Sequence, residues 1–205
     1  MRHFAFLLKP VDATFNLFVR LKKRKIEKKK QYELIDRLTA ADNAFITSLD
    51  QNNIFKRRKA EMDWLQDYPW VIASSEPNSL ADRFYFSTQY PIYENLFLRI
   101  KNAGKTVAIV FLKNKEQHIA LQYIWSTDDA LEQVAKSILH VISGKQPKTL
   151  SLYHRGLIEK FDQLQAGYLF QRATSQFFMV YAGLPDLEDH LKDGFQHGDG
   201  DTMFT

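Results

Sequence analysis

The chain has 205 residues, 45% hydrophobic and 14% aromatic, with 16 Phe and 9 Tyr; this is enough to bury one real core with an appended element and too much for wholesale disorder. It has no cysteine, which excludes disulfides, thiolate metal sites and cysteine nucleophiles together and fits a reducing cytoplasm. The formal charge of +4 hides an asymmetry: eight of the 28 basic residues and one of the 24 acidic ones fall between Arg20 and Lys30, leaving 20 basic against 23 acidic elsewhere, unlike the evenly basic surface of a general nucleic-acid binder.

No run reaches the ~20 apolar residues of a membrane-crossing helix. The apolar stretch Phe4–Leu8 is cut short by Lys9 and Pro10, with no small-residue cleavage site behind it, so a signal peptide is not expected and the cytoplasm is. Residues 10–66 read as helical. Pro10 and Asp12 suit a first turn, and Val11, Phe15, Phe18, Val19, Lys22 and Ile26 trace a stripe that runs into the basic segment. A second helix is expected from Gln31 to about Ser48, with Leu34, Ile35, Leu38, Ala41, Phe45, Ile46 and Leu49 on one side. Asp50, Asn52 and Asn53 break it, and a third helix follows from about Arg57 to Gln66.

From Pro69 the period changes. Trp70–Ser74 and Phe84–Phe86 are short apolar runs. Tyr93–Lys101, Lys105–Leu112 and Gln117–Trp125 follow, joined by Asn102-Ala103-Gly104 and Lys113-Asn114-Lys115-Glu116, and predict an antiparallel meander. Thr127-Asp128-Asp129 starts a helix that runs to about Ser143 and ends at Gly144. Thr149–Tyr153 is a short strand, reached by a crossover and so expected to lie parallel to the last meander strand and splay from it. Leu157–Leu164 forms another helix. Gly167–Gln171 and Gln176–Ala182 form a last hairpin, and the rest is a polar tail.

This order of meander, helix, strand, helix and terminal pair resembles the GNAT acyltransferase fold over roughly Tyr68 to Ala182. The leader resembles a narrower group, the double-lobed GNAT-like bacterial proteins, in which an Arg, a short helix with a Trp and a Pro-aromatic segment precede the second lobe. Here those pieces are Arg57 through Trp64-Leu65, then Tyr68-Pro69-Trp70-Val71; Asp199 through Thr205 is similar to the closing signature. The resemblance implies an α/β fold with a mixed, mostly antiparallel GNAT-like sheet flanked by helices. Residues 1–66 would be a helical leader carrying the basic run, 67–183 the acyltransferase domain and 184–205 a polar tail. It also implies a missing amino-terminal lobe, with Met1 at the seam and Phe4, Phe6, Leu7 and Leu8 left from the face that packs on it.

Acyl-CoA binding in that family needs a backbone nest, written Gln or Arg, two residues, Gly, one residue, Gly or Ala, whose amides meet the pyrophosphate at a helix start. The corresponding stretch, Tyr123 to Leu131, has no Gly and no Arg, and Asp128 and Asp129 put two negative charges where the diphosphate would sit. No cofactor is therefore expected from this loop, although acetyl-CoA or another acyl-CoA remains the ligand if the family activity is retained. The resemblance points to Tyr153 and His154, at the end of the strand after the helix, as candidate proton donors to a leaving thiolate; a buried strand-end Tyr and a surface His are the plainer reading. Glu94 and Gln122 could reach the same cleft.

His190, His197, Asp199 and Asp201 suggest a metal, but they lack the remaining ligands of a calcium loop or a zinc site. A turn-rich tail packing on the sheet explains them better. The basic run Arg20–Lys30 reads first as a solvated helix face, with an anionic membrane surface or RNA as the sharper possibilities. The function expected is a GNAT-like acyltransferase lobe, carboxy-terminal and without its own acyl-CoA loop. It would shape an acceptor site, or pack on an amino-terminal GNAT lobe or on another copy through the leader helices. The alternatives are a protein- or membrane-interaction module and a Fem-type aminoacyl transferase lobe.

Overall fold

The computed structural model describes residues 31–49, 55–68, 71–73, 88–164, 170–174 and 196–199. The basic run, the apolar run Phe84–Phe86, His190, Asp201 and most of the expected last hairpin lie outside them. The elements in chain order are β1 (Tyr32–Ile35), α1 (Ala40–Leu49), α2 (Lys59–Asp67), β2 (Val71–Ala73), β3 (Thr88–Tyr90), β4 (Tyr93–Asn102), β5 (Lys105–Lys115), β6 (His118–Ser126), α3 (Leu131–Lys145), β7 (Thr149–Ser151) and α4 (Arg155–Gln163).

Five strands form one sheet in the order β1-β4-β5-β6-β7. All neighbours are antiparallel except β6 and β7, which are parallel and joined by α3. The fold is thus α/β with a mostly antiparallel mixed sheet flanked by helices, and β2 pairs with β3 in a separate parallel ribbon. Among the described residues no helix is long and apolar enough to cross a membrane.

The central strand explains the two layers. Ala108 to Leu112 is apolar at every position and wholly buried, as a strand covered on both faces must be. On one face Leu98, Val110, Leu112, Ile119 and Leu121 pack against Val134 and Ile138 of α3 and Leu157 and Phe161 of α4. On the other, Phe97, Ile109, Phe111, Tyr123 and Trp125 meet Ile46 of α1 and Met62 of α2. The rings of this second face stack across the strands. Phe97 lies 4.5 Å from Phe111, Phe111 6.3 Å from Tyr123, and Tyr123 5.3 Å from Trp125, all within 8° of parallel.

Both meander turns are two residues long and need positive φ at each position, the geometry that follows the right-handed twist of paired strands. Ala103 and Gly104 supply φ of 47° and 83°, and Glu116 and Gln117 supply 48° and 70°. The second turn differs from the expected loop Lys113–Glu116, because β5 continues through Lys115. A bulge opens opposite the Phe111–Leu112 step, where Tyr123 and Leu121 pair and Gln122 is the extra residue.

The helix expected over 31–48 is corrected: its first part is strand β1, paired with β4 from Tyr32↔Ile100 to Ile35↔Phe97. The residues fit a helical stripe, but Thr39 and Asp42 start the helix later. Thr39 Oγ1 accepts from the Asp42 N–H at 3.3 Å, and Asp42 accepts from the Thr39 N–H at 2.7 Å, a reciprocal cap. The helix after the meander is preceded by a 3-10 turn, Asp128–Ala130. It ends not at Gly144 but at Gln146, which takes the left-handed conformation and donates to the Ile142 carbonyl. The strand expected over 149–153 stops at Ser151.

Asp42 also joins the helix layer to the sheet. Its carboxylate is 2% exposed and takes both Nε (2.7 Å) and Nη2 of Arg99 on β4. Burial pushes this carboxyl up, but the Arg99 and Thr39 bonds outweigh it and hold the pKa below the usual carboxylate value. Removing one member of a buried pair strands the other. Asp42→Ala is therefore expected to cost about 3 kcal/mol in a denaturant titration, whereas Glu33→Ala, at the exposed end of the same Arg99, leaves the midpoint nearly unchanged. Because the Asp42 pKa is depressed, its contribution is present at neutral pH and is lost as pH falls through the carboxylate range.

Candidate functional site

The β6–β7 ladder has three pairs, His118↔Thr149, Ile119↔Leu150 and Ala120↔Ser151. Among the described residues no strand pairs with the outer edge of β6 beyond Ala120, while the chain leaves β7 through Leu152, Tyr153 and His154 into α4. The ladder stops because β7 ends at Ser151, and the region between β6 beyond Ala120 and this connection is termed the notch.

The four described tail residues, Gln196–Asp199, pack there. The Ile124 N–H donates to the side-chain Oε1 of Gln196 at 2.6 Å. Gly198 lies against the Tyr123 ring; a Cβ there would fall 2.2 Å from a ring carbon. Asp199, its side chain fully covered, accepts from the Tyr123 hydroxyl at 3.0 Å and from the Gln196 N–H at 2.9 Å, and faces Arg57 Nε at 3.7 Å. The His197 ring stacks on Tyr153 at 4.2 Å. The tail-packing expectation holds for these residues. Among the described residues no three His, Asp or Glu side chains form a group suited to a metal ion.

Tyr153 and His154 sit together at the notch with different roles. Tyr153 is 37% exposed and spends a ring face on His197. His154 is half-buried and caps α4: its Nδ1 accepts from the Leu157 N–H at 3.2 Å, which places the ring proton on Nε2. Burial lowers its pKa, against a raising influence from its own backbone bond and from Asp128. The acidic corner and the candidate proton donor are therefore neighbours. A neutral imidazole with an Nε2–H can donate a hydrogen bond or relay a proton.

Gln122 belongs to the same strand segment. It is 1% exposed, and neither amide atom has a hydrogen-bond partner among the described residues. Glu94 does not reach the notch: its carboxylate is held by Lys145 at 2.7 Å and Asn114 at 2.8 Å, tying the end of α3 to the sheet.

At the corner between β6 and α3, Asp128 and Asp129 are exposed. The Thr127 N–H is already given to the Val107 carbonyl at 3.1 Å and the Ala130 N–H to the Thr127 carbonyl at 3.0 Å. Two of the amides that might have faced a ligand are spent.

Sequence reasoning did not find Lys113, which is 7% exposed on β5; burial, with Lys115 adding, lowers its ammonium to about 8. It hid inside an expected surface turn. Arg57 was read only as part of a leader motif, with no signal that it meets the tail.

Compared with known protein families, characterised proteins and solved structures, the chain matches none.

The cap role of His154 is separable from acid–base chemistry. His154→Ala should lower stability by about 1 kcal/mol, the usual loss of an N-cap, and His154→Asn should recover most of it; thermal melts of the two variants check this.

Proposed function

We propose that the chain is a GNAT-like acyltransferase lobe without its own grip on acyl-CoA, which shapes an acceptor surface or packs against a lobe that carries the cofactor. The reading is supported by an antiparallel meander, a crossover helix and a parallel strand that parts from its neighbour after three pairs. The observation that carries the cofactor-free half is the corner itself. It has no glycine, two exposed carboxylates at the start of α3, and amides at Thr127 and Ala130 already bonded within the chain. A helix start attracts a diphosphate through free amides and favourable charge. Here two of the corner's amides, those of Thr127 and Ala130, are occupied, and the added charge is of the wrong sign.

Tyr153 and His154 keep their candidate roles in this proposal as groups lining the acceptor side. Calorimetric titration with acetyl-CoA is expected to show no saturable binding. Saturable binding that perturbs the amide signals of 127–131 would overturn the reading.

A second reading, an interaction module, is favoured by one observation: the chain's own tail packs at the notch while aromatic rings stand exposed on α2 and at its C-cap. Trp64 is 45% and Tyr68 64% exposed, their rings 6.0 Å apart.

A further inference from the structure

We propose that one end of the sheet, where Lys113, Lys115 and His118 share a face, is a binding site for a small molecule that carries a carboxylate. The proposal concerns the end of β6 away from the acidic corner and stands whether or not the lobe is an acyltransferase.

The strand register assembles the site. Residues directly opposite one another share a face of the sheet, as do residues two apart along a strand. Lys113 lies two residues beyond Phe111 and pairs with Asn95 on β4 and with Ala120 on β6, and Ala120 pairs in turn with Ser151 on β7. Lys115 pairs with Tyr93 and His118, and His118 with Thr149. Two rows, Asn95-Lys113-Ala120-Ser151 and Tyr93-Lys115-His118-Thr149, thus continue the face that carries the stacked rings of Phe97 and Phe111. The outer row reaches solvent at His118 and Thr149, while Lys113 on the inner row is 7% exposed.

This placement opposes folding unless something negative joins it, since like charges side by side on one face repel and burial adds to the cost. Burial, then Lys115, bring the Lys113 ammonium down to about 8, and partial burial, Lys113 and Lys115 lower His118. Whatever else touches these side chains, the balance at both is against the proton. Lys115 lies over the Tyr90 ring at 4.0 Å and His118 Nδ1 is bonded to Thr149 Oγ1 at 2.9 Å, so both are held in place. The tail's His197 feels the same two neighbours, and burial, Lys113 and His118 take it to about 4. Glu94, the acid between the two rows on β4, serves the other face, where Asn114 and Lys145 take its carboxylate.

A second observation marks the inner row. Asn95, directly opposite Lys113, has a buried Oδ1 with no hydrogen-bond partner among the described residues. A ligand carboxylate accepts from the cationic side chains, and a hydroxyl or N–H of the same molecule meets Asn95 Oδ1. Charge selects the class: a single negative charge balances the one buried ammonium, whereas a phosphate would bring up to two charges into the recess.

The test is an NMR titration of the full chain with acetate, against chloride at constant ionic strength. Acetate should shift the His118 ring and the Lys113 ε-carbon together, half-saturating at about 10 mM or below, and should raise the Lys113 pKa by about 1 or more. Lys113→Met should weaken the response at His118 roughly tenfold, whereas Lys105→Met, at the far end of β5, should leave it unchanged. If Lys113→Met fails to fold, His118→Gln in the exposed row takes its place and should weaken the response at Lys113. No saturation beyond that with chloride overturns the proposal. So does a response that survives intact in the folded Lys113→Met chain, or in His118→Gln where that variant decides. Inorganic phosphate binding as tightly as acetate overturns it too, because the site would then not select a carboxylate.

Discussion

The ring of Tyr123 lies between the core and the tail, and both require a flat aromatic side chain at that position. One side of the ring continues the stack from Phe97 and Phe111, and another takes Gly198 closely enough to exclude any side chain there. Its hydroxyl, raised in pKa by burial and by the Asp199 charge, stays protonated and donates to that carboxylate. The bulge makes this possible. Ile119 and Leu121 belong to the α3 face, and strict alternation would send residue 123 the same way; the extra residue Gln122 turns Tyr123 onto the α1 and α2 face. The cost is a buried carboxamide with no hydrogen-bond partner among the described residues, which is the kind of local conflict that natural proteins concentrate at sites of use.

Much of the sheet was legible because its periodicities agree with its turns. The meander, the crossover helix and the parallel strand after it were all expected from alternation, caps and a connection too long for a hairpin. The amino-terminal part misled for a physical reason. Tyr32–Ile35 carries apolar residues that serve a helical stripe as well as a strand, and only pairing with β4, more than 60 residues away, decides between them. The clue that was present, a Thr three residues before an Asp, marks where α1 begins. The turns misled in a different way. Gln146, Glu116 and Gln117 hold positive φ without being glycine, so the usual punctuation of a sequence was missing where the chain reversed.

At the notch, the sequence named Tyr153, His154, His197 and Asp199 but assigned them to unrelated ideas. The structure brings them to one place, with His154 capping a helix, Tyr153 stacked on His197, and Asp199 buried against a phenol. No local pattern announces such a grouping, because its members come from two well-separated stretches of chain. The composition of the acidic corner was legible, because charge and the lack of glycine are local properties, but its 3-10 turn over Asp128–Ala130 was not.

The bond between Tyr123 and Asp199 spans 76 residues of sequence, and Arg57 reaches the same carboxylate from farther still. Contacts of that separation carry a large loop-closure entropy and form only when the surfaces that receive them exist. The tail turn can therefore be added only after β6 has joined the sheet and the segment before α2 has settled on it. A sheet without this turn would lose its cover over the Tyr123 ring and its acceptor for the Ile124 N–H, and uncovered strand edges invite association. The turn thereby acts as a closing stitch between β6 and the segment before α2.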